Sequence, residues 1–228
     1  MIANKSKFFS GLTLLVLFSA VLIAMFMPIF GGHNGLEFLD NLYNSISKGS
    51  AYYIGDVREE IKSIQSPDLT FNLTLQSESQ AQQTVILFED AGAQVTQSGA
   101  ELTVSGNILT ILNNCLDDAQ SMYDNDGATV KARYGYAEKA VMYNWYSALK
   151  AMDFNLKQQK RFNVAKMADL VNKKAVETAY NYYGIEGQKI TERLGVVIFS
   201  LIFYVVYTLW YGFGIMFLFE GVGMHLEH

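Results

Sequence analysis

Charged side chains are absent from residues 8–30 and again from residues 194–219, and nearly every charge in the chain lies between those two stretches. A helix rises about 1.5 Å per residue, so about 20 apolar residues cross a hydrocarbon layer of about 30 Å. Lipid offers a bare peptide group no hydrogen-bonding partner, and a spanning segment has to satisfy its own backbone as a helix. The sequence therefore predicts two transmembrane helices, residues 8–30 and 194–220, toward opposite ends of the chain. These stretches also carry the hydrophobic content, 50%, toward the top of the soluble range.

The first stretch is expected to persist as a signal-anchor. It follows Lys5 and Lys7, as a secretory signal would, but its apolar run outlasts the roughly 7–15 residues of a signal core. Nor does Met25-Phe26-Met27-Pro28-Ile29-Phe30 offer a small-x-small cleavage site. Orientation follows Lys and Arg near the span ends, and here the two ends disagree. Lys5 and Lys7 hold residues 1–7 in the cytoplasm, whereas Lys173, Lys174, Lys189 and Arg193 pull the middle of the chain the same way. The first span inserts first, and long loops translocate largely regardless of charge. The expected arrangement is a two-pass cell-membrane protein with cytoplasmic amino and carboxy termini and its middle outside. Leu226-Glu227-His228 look like the start of a vector-derived tail with His225 beside them, so residues 226–228 are set apart from the functional reading.

Residues 31–66 connect the first span to a middle domain. Leu36, Leu39, Tyr43 and Ile46 recur at helical spacing beside Phe38 and Leu42. They predict an amphipathic helix that either lies along the membrane interface or packs on the domain core. A short charged helix over residues 56–64 follows and ends at Ser66-Pro67. Residues 67–126 read as an α+β domain. Leu69, Phe71, Leu73 and Leu75 alternate with Thr70, Asn72 and Thr74, the mark of a half-buried strand. Ser77 with Gln80 makes a capping box for a helix through Val85, Ile86 and Phe88 that stops at Gly92. Residues 95–104 fold as two strands at Ser98-Gly99, and Asn107 caps a helix through Ile108, Ile111, Leu112, Cys115 and Leu116. This β-α-β-β-α order predicts a small sandwich, one sheet with helices on one face. Residues 127–187 read as a long helical hairpin. One helix carries Val141, Trp145, Ala148, Met152 and Leu156 on a single face, the other Ala168, Val171, Ala175, Ala179 and Tyr182, with the junction over residues 161–164.

Charge divides at the same boundary: residues 31–126 hold 14 acidic and 3 basic side chains, residues 127–193 hold 6 acidic and 12 basic. Such complementary surfaces can close within one chain or between neighbouring copies, and the basic helices can also sit over anionic headgroups.

Catalytic sets are hard to assemble from what the chain offers. Cys115 is the single cysteine, which excludes an intrachain disulfide or a CxxC pattern, and its apolar flanks place it in the core. His33 is the one histidine clear of the tail, so neither a two-histidine metal site nor a His-based triad is expected. Asp124-Asn125-Asp126-Gly127 fails the EF-hand spacing, because Gly127 in the sixth place puts Met122 first and Arg133 twelfth. A capped turn is expected there. Asp117 and Asp118, adjacent on a helix, share no face and are expected to be solvated. P-loop, dinucleotide-glycine and nucleophile-elbow patterns are missing, while Asn72-Leu73-Thr74 matches a glycosylation sequon.

The second span is the more informative one. Tyr204, Tyr207 and Tyr211 recur at spacings of three and four, and Gly214 and Leu218 continue the stripe. A hydroxyl in hydrocarbon costs free energy unless bonded, so this face is expected to meet protein, in the same chain or in another copy. Gly212 and Gly214 permit close approach, and Ser10, Gly11, Thr13 and Ser19 are the small or hydroxyl-bearing counterparts in the first span. Glu220 ends the apolar run, either as a functional intramembrane charge or as one that reaches water.

The expected protein is an α+β membrane protein, with two terminal transmembrane helices flanking a small β-α-β-β-α sandwich and a long helical hairpin. Its expected role is non-enzymatic: a homo-oligomer whose extracytoplasmic domain binds a protein partner or ligand, as a scaffold or accessory subunit. Membrane lipid, further copies and a membrane or extracytoplasmic protein are the expected partners; no cofactor, metal or nucleic acid is expected. The alternative is an oligomeric two-span ion channel with the second helix lining the pore and Glu220 as a charged ring.

Overall fold

The computed structural model describes residues 2–64 and 68–224. The expected break at Ser66-Pro67 and the tail from His225 lie outside the described residues. The chain is mostly helical with one three-stranded sheet. It divides into two units, Met1–Ser50 together with Glu186–His228, and Ala51–Ile185.

In the first unit, α1 (Lys5–Phe26) opens at Asn4, whose side chain accepts from the Lys7 amide at 3.1 Å. It stops ahead of Pro28, because proline pushes the residue before it out of the α region. The helix is thus shorter than the uncharged stretch, and Phe30 and His33 close a tight turn in which Gly31 and Gly32 take positive φ. At the other end of the chain, α10 (Ile190–Gly221) begins before the apolar run and carries it to its end. Both helices are long and apolar enough to cross a membrane, with mean hydropathies of 2.4 and 2.0. A core helix hides most of its apolar surface, yet only 6% of either apolar window is buried. Phe9, Val16, Ile23, Phe199, Leu201 and Val205 all stand exposed.

Between them lies α2 (Gly35–Ser50), opened by a reciprocal cap in which Asn34 Oδ1 accepts from the Glu37 amide and Glu37 Oε2 accepts from the Asn34 amide. Its apolar stripe finds a partner in α10. Leu42 and Ile46 bury against Val197, and the Tyr43 hydroxyl pairs with Ser200 Oγ at 2.7 Å. Leu36 and Phe38, on the same helix, stay exposed.

The second unit begins with α3 (Ile54–Ile61), which buries Ile54, Val57 and Ile61. Next come β1 (Asp68–Thr74), α4 (Glu78–Asp90), β2 (Gln94–Ser98), β3 (Glu101–Asn107) and α5 (Ile108–Tyr123), the order the sequence predicts. The sheet is antiparallel in the order β1-β3-β2, with Phe71 and Val95 both opposite Val104. Alternation is complete along β1: Leu69, Phe71 and Leu73 are buried, the residues between them exposed. Phe71 meets Phe88 of α4 edge-on at 6.0 Å, and Phe88 meets Trp145 in the same way at 5.5 Å. Ser77 Oγ accepts from the Gln80 amide and Asn107 Oδ1 accepts from the Thr110 amide, so both N-caps form, but the Gln80 side chain accepts from the Gln76 amide rather than from that of Ser77 as a full capping box would. Asn72 of the sequon sits within β1, its side chain accepting from Thr103 Oγ1.

The helices beyond are more interrupted than a single hairpin. They run as α6 (Gly127–Tyr134), α7 (Glu138–Gln158), α8 (Phe162–Val171), a π-helical stretch (Asn172–Val176) and α9 (Glu177–Tyr182). Gly135 at φ 78° ends α6 in a left-handed cap, which apolar periodicity alone does not reveal. Near the expected junction, Lys160 takes φ 60° between α7 and α8. The carboxy-terminal turns of α7 also seal one edge of the sheet. Asn155 Oδ1 accepts from the Asn72 amide at 3.1 Å and Gln159 Nε2 donates to the Thr70 carbonyl at 3.0 Å, standing in for a neighbouring strand.

Candidate functional site

Three places gather polar chemistry. The first is the seam between α1 and α10, which run antiparallel. Glycine lets their backbones touch: a Cβ on Gly11 would stand 2.6 Å from the Leu218 nitrogen, and one on Gly221 would stand 2.5 Å from Phe8 Cα. Across this seam the Tyr207 hydroxyl donates to the Phe18 carbonyl at 3.0 Å and the Trp210 indole donates to the Leu14 carbonyl at 3.1 Å. A helical carbonyl keeps a second lone pair beyond its own helix bond, so it serves a phenol or indole in apolar surroundings. The Phe18 ring stacks on Tyr207 at 4.2 Å and tilts against Tyr211 at 5.0 Å.

Of the expected stripe, Tyr207 and Gly214 turn toward α1, Tyr211 reaches it through Phe18, and Tyr204 stands 69% exposed. Trp210 shares the seam instead, and Phe203 stacks on Tyr207 at 5.4 Å. Trp210 escaped the sequence reading, although an indole N–H inside an uncharged span itself signals an acceptor nearby. In α1, Gly11 is buried while Ser10, Thr13 and Ser19 face outward. At one end of the seam Lys7 Nζ lies 2.9 Å from Glu220 Oε2, with the side chains 45% and 33% exposed. A pair this open stabilises weakly, so Glu220→Gln is expected to cost less than about 1 kcal/mol in a detergent unfolding titration.

The second place is buried in the globular unit and corrects an expectation. Asp117 is exposed and pairs with Arg58 at 2.7 Å, but Asp118 is 1% exposed rather than solvated. Its Oδ2 accepts from the Tyr134 hydroxyl at 2.7 Å and the Trp145 indole at 2.8 Å, and its Oδ1 accepts from Arg133 at 3.1 Å. Arg133 reaches on to Asp90, which also accepts from Asn114. Burial raises the Asp118 carboxyl above its ordinary value, against the lowering effect of these donors. The periodicity held the clue: Asp118 lies seven residues beyond Ile111 and three beyond Cys115, on the buried stripe of α5. Cys115 is in the core as expected, its thiol pushed up by burial and then by the charges of Asp118 and Asp117.

Beside this cluster Asn144 donates to Gln83 Oε1 and to the Tyr136 hydroxyl. Burial, with a smaller push from Asp118, carries Tyr136 up to about 12 and carries Tyr134 upward too. Both phenols hold their protons where an unfolded chain releases them. The contribution of Tyr136 to stability is therefore full below about pH 10 and is lost as the pH rises through about 12, while that of Tyr134, raised further, persists beyond it. Near-ultraviolet titration is expected to show these phenolates appearing together with unfolding.

The acidic run, by contrast, is a turn. Asn125 takes φ 64°, and Asp126 caps α6 by accepting from the Thr129 amide and hydroxyl.

The third place is a groove of about 260 Å³ lined by Met142, Tyr143 and Tyr146 of α7 and by Val176, Glu177 and Tyr180 beyond. Tyr143 and Tyr146 stack at 6.3 Å, Lys150 stands 5.8 Å from the Tyr146 ring and Lys139 5.8 Å from that of Tyr180. The π-helical stretch adjoins it, with Asn172 Nδ2 donating to the Tyr146 carbonyl. The chain matches no protein-family profile, no curated protein and no solved structure.

Proposed function

We propose that the chain is a two-pass integral membrane protein with cytoplasmic termini, which assembles as a homo-oligomer and presents an extracytoplasmic domain to a protein partner, as a scaffold or accessory subunit does. The observation that carries this reading is the exposure of α1 and α10, whose apolar side chains call for lipid or further helices to cover them. Pairing of Lys7 with Glu220 accords with both termini on one side. For the partner, the tyrosine groove offers ring faces next to Lys139 and Lys150, on a stretch of chain with a basic excess. That chemistry suits an acidic segment carrying an apolar or aromatic residue.

The channel alternative draws less support, because Glu220, its proposed ring charge, is engaged by Lys7 of the same chain. Crosslinking in native membranes followed by sizing in mild detergent tests the main reading. Oligomers and a crosslinked neighbour are expected. A strict monomer in detergent with no neighbour in membranes overturns it.

A further inference from the structure

A second polar stripe runs along α10 beside the seam, with the Tyr211 ring touching Phe18 at its border. Tyr204, Thr208, Tyr211 and Ile215 recur at spacings of four, three and four and so share one side of the helix. Tyr204 is 69% and Tyr211 46% exposed, and neither hydroxyl has a hydrogen-bond partner among the described residues. Thr208 Oγ1 donates to the Tyr204 carbonyl at 2.7 Å and keeps its own lone pairs free to accept. Beside them Gly212 is open, with nothing within 4 Å of an added Cβ. Tyr211 lies nine residues from Glu220, about 13 Å along the helix and too far for a phenol to reach the water at that end.

We infer that this stripe is the contact between copies: α10 of one chain packs on α10 of a second through Tyr204, Thr208 and Tyr211 about a two-fold axis. The inference rests on the membrane reading above and names the surface that reading leaves open. Copies inserted by the same rule point the same way, so the two helices meet in parallel and each residue near the axis faces its own counterpart. A carboxylate or an ammonium repels its counterpart there, whereas a phenol both donates and accepts and so bonds to its own counterpart, with Thr208 accepting only. The polar groups on this stripe are hydroxyls, and Gly212 allows the backbones to come close.

Cys115 is buried, so introduced cysteines report alone in the full chain. In native membranes under mild oxidation, Thr208→Cys and Tyr211→Cys are expected to give disulfide-linked dimers. Val206→Cys, Leu209→Cys and Phe213→Cys, exposed on the opposite side, are expected to stay monomeric. Dimers at those control positions overturn the inference, as does capture of a different protein at Thr208→Cys. So do oligomers seen only with a lysine-reactive crosslinker, although that result leaves the oligomeric reading standing. Monomers by both probes remove both. The double variant Tyr204→Phe with Tyr211→Phe keeps the rings and is expected to weaken dimerisation roughly threefold per lost hydroxyl bond. An unchanged dissociation constant overturns the part assigned to the hydroxyls.

Discussion

Asp118→Ala is expected to lower the stability of the globular unit by about 3–5 kcal/mol, the cost of removing one member of a buried charge pair. The carboxylate is where three donors end: Tyr134, Trp145 and Arg133. Truncation leaves a guanidinium bonded to Asp90 alone, the buried Trp145 indole without an acceptor and the Tyr134 hydroxyl with only Asn114 Oδ1 at 3.5 Å, and each loss carries its own desolvation cost. Asp118→Asn keeps the shape and one acceptor oxygen, and is expected to lose much less. The raised carboxyl value fixes the sign of the pH dependence. The folded unit holds this proton more tightly than the unfolded chain, so the proton-linked part of the stability is full below the ordinary carboxylate range and is lost as the pH rises through the folded value, while the bonds from Tyr134, Trp145 and Arg133 persist. Urea unfolding of the full chain in detergent, followed by tryptophan fluorescence at several pH values, measures both. A loss below about 1 kcal/mol for the alanine variant would show that the network contributes little.

Gly11→Leu is expected to separate α1 from α10. Even a methyl group at this position would stand 2.6 Å from the Leu218 nitrogen and 2.8 Å from the Gly214 carbonyl oxygen, both of which are backbone atoms that no rotamer change can move. Overpacking costs about 1–3 kcal/mol, and the helices have to part to relieve it. Parting also breaks the bonds from Tyr207 to Phe18 and from Trp210 to Leu14. Pulsed dipolar distances between labels at Lys5 and Val222 are expected to lengthen by several ångström, with a shift in Trp210 emission. Distances that stay the same would show that the seam does not depend on glycine contact.

Period-two and period-3.6 patterns made most of the globular unit legible. The alternation of β1, the Ser77 and Asn107 caps and the hairpin at Ser98-Gly99 are local signals, and each determines its element without tertiary help. What escaped depends on contacts between distant segments. The apolar stripe of α2 announces a buried face, but nothing in its own residues says that Val197 covers it. Asp118 shares the stripe of Ile111 and Cys115, a place that the adjacent, exposed Asp117 masks in the sequence. In α10 the tyrosines at spacings of three and four are the conspicuous signal. The seam lies a fraction of a turn away, on Tyr207, Trp210 and Gly214, where glycine lets α10 come closest to α1.

Tyr207 and Trp210 grip main-chain carbonyls of α1 rather than its side chains. Every amino acid carries that carbonyl, so exchange among bulky apolar residues at Leu14 or Phe18 leaves both anchors in place. Gly11 has no such latitude. Substitution rates along α1 should therefore be uneven among relatives, with free drift over most of its length and one fixed point where the two backbones meet.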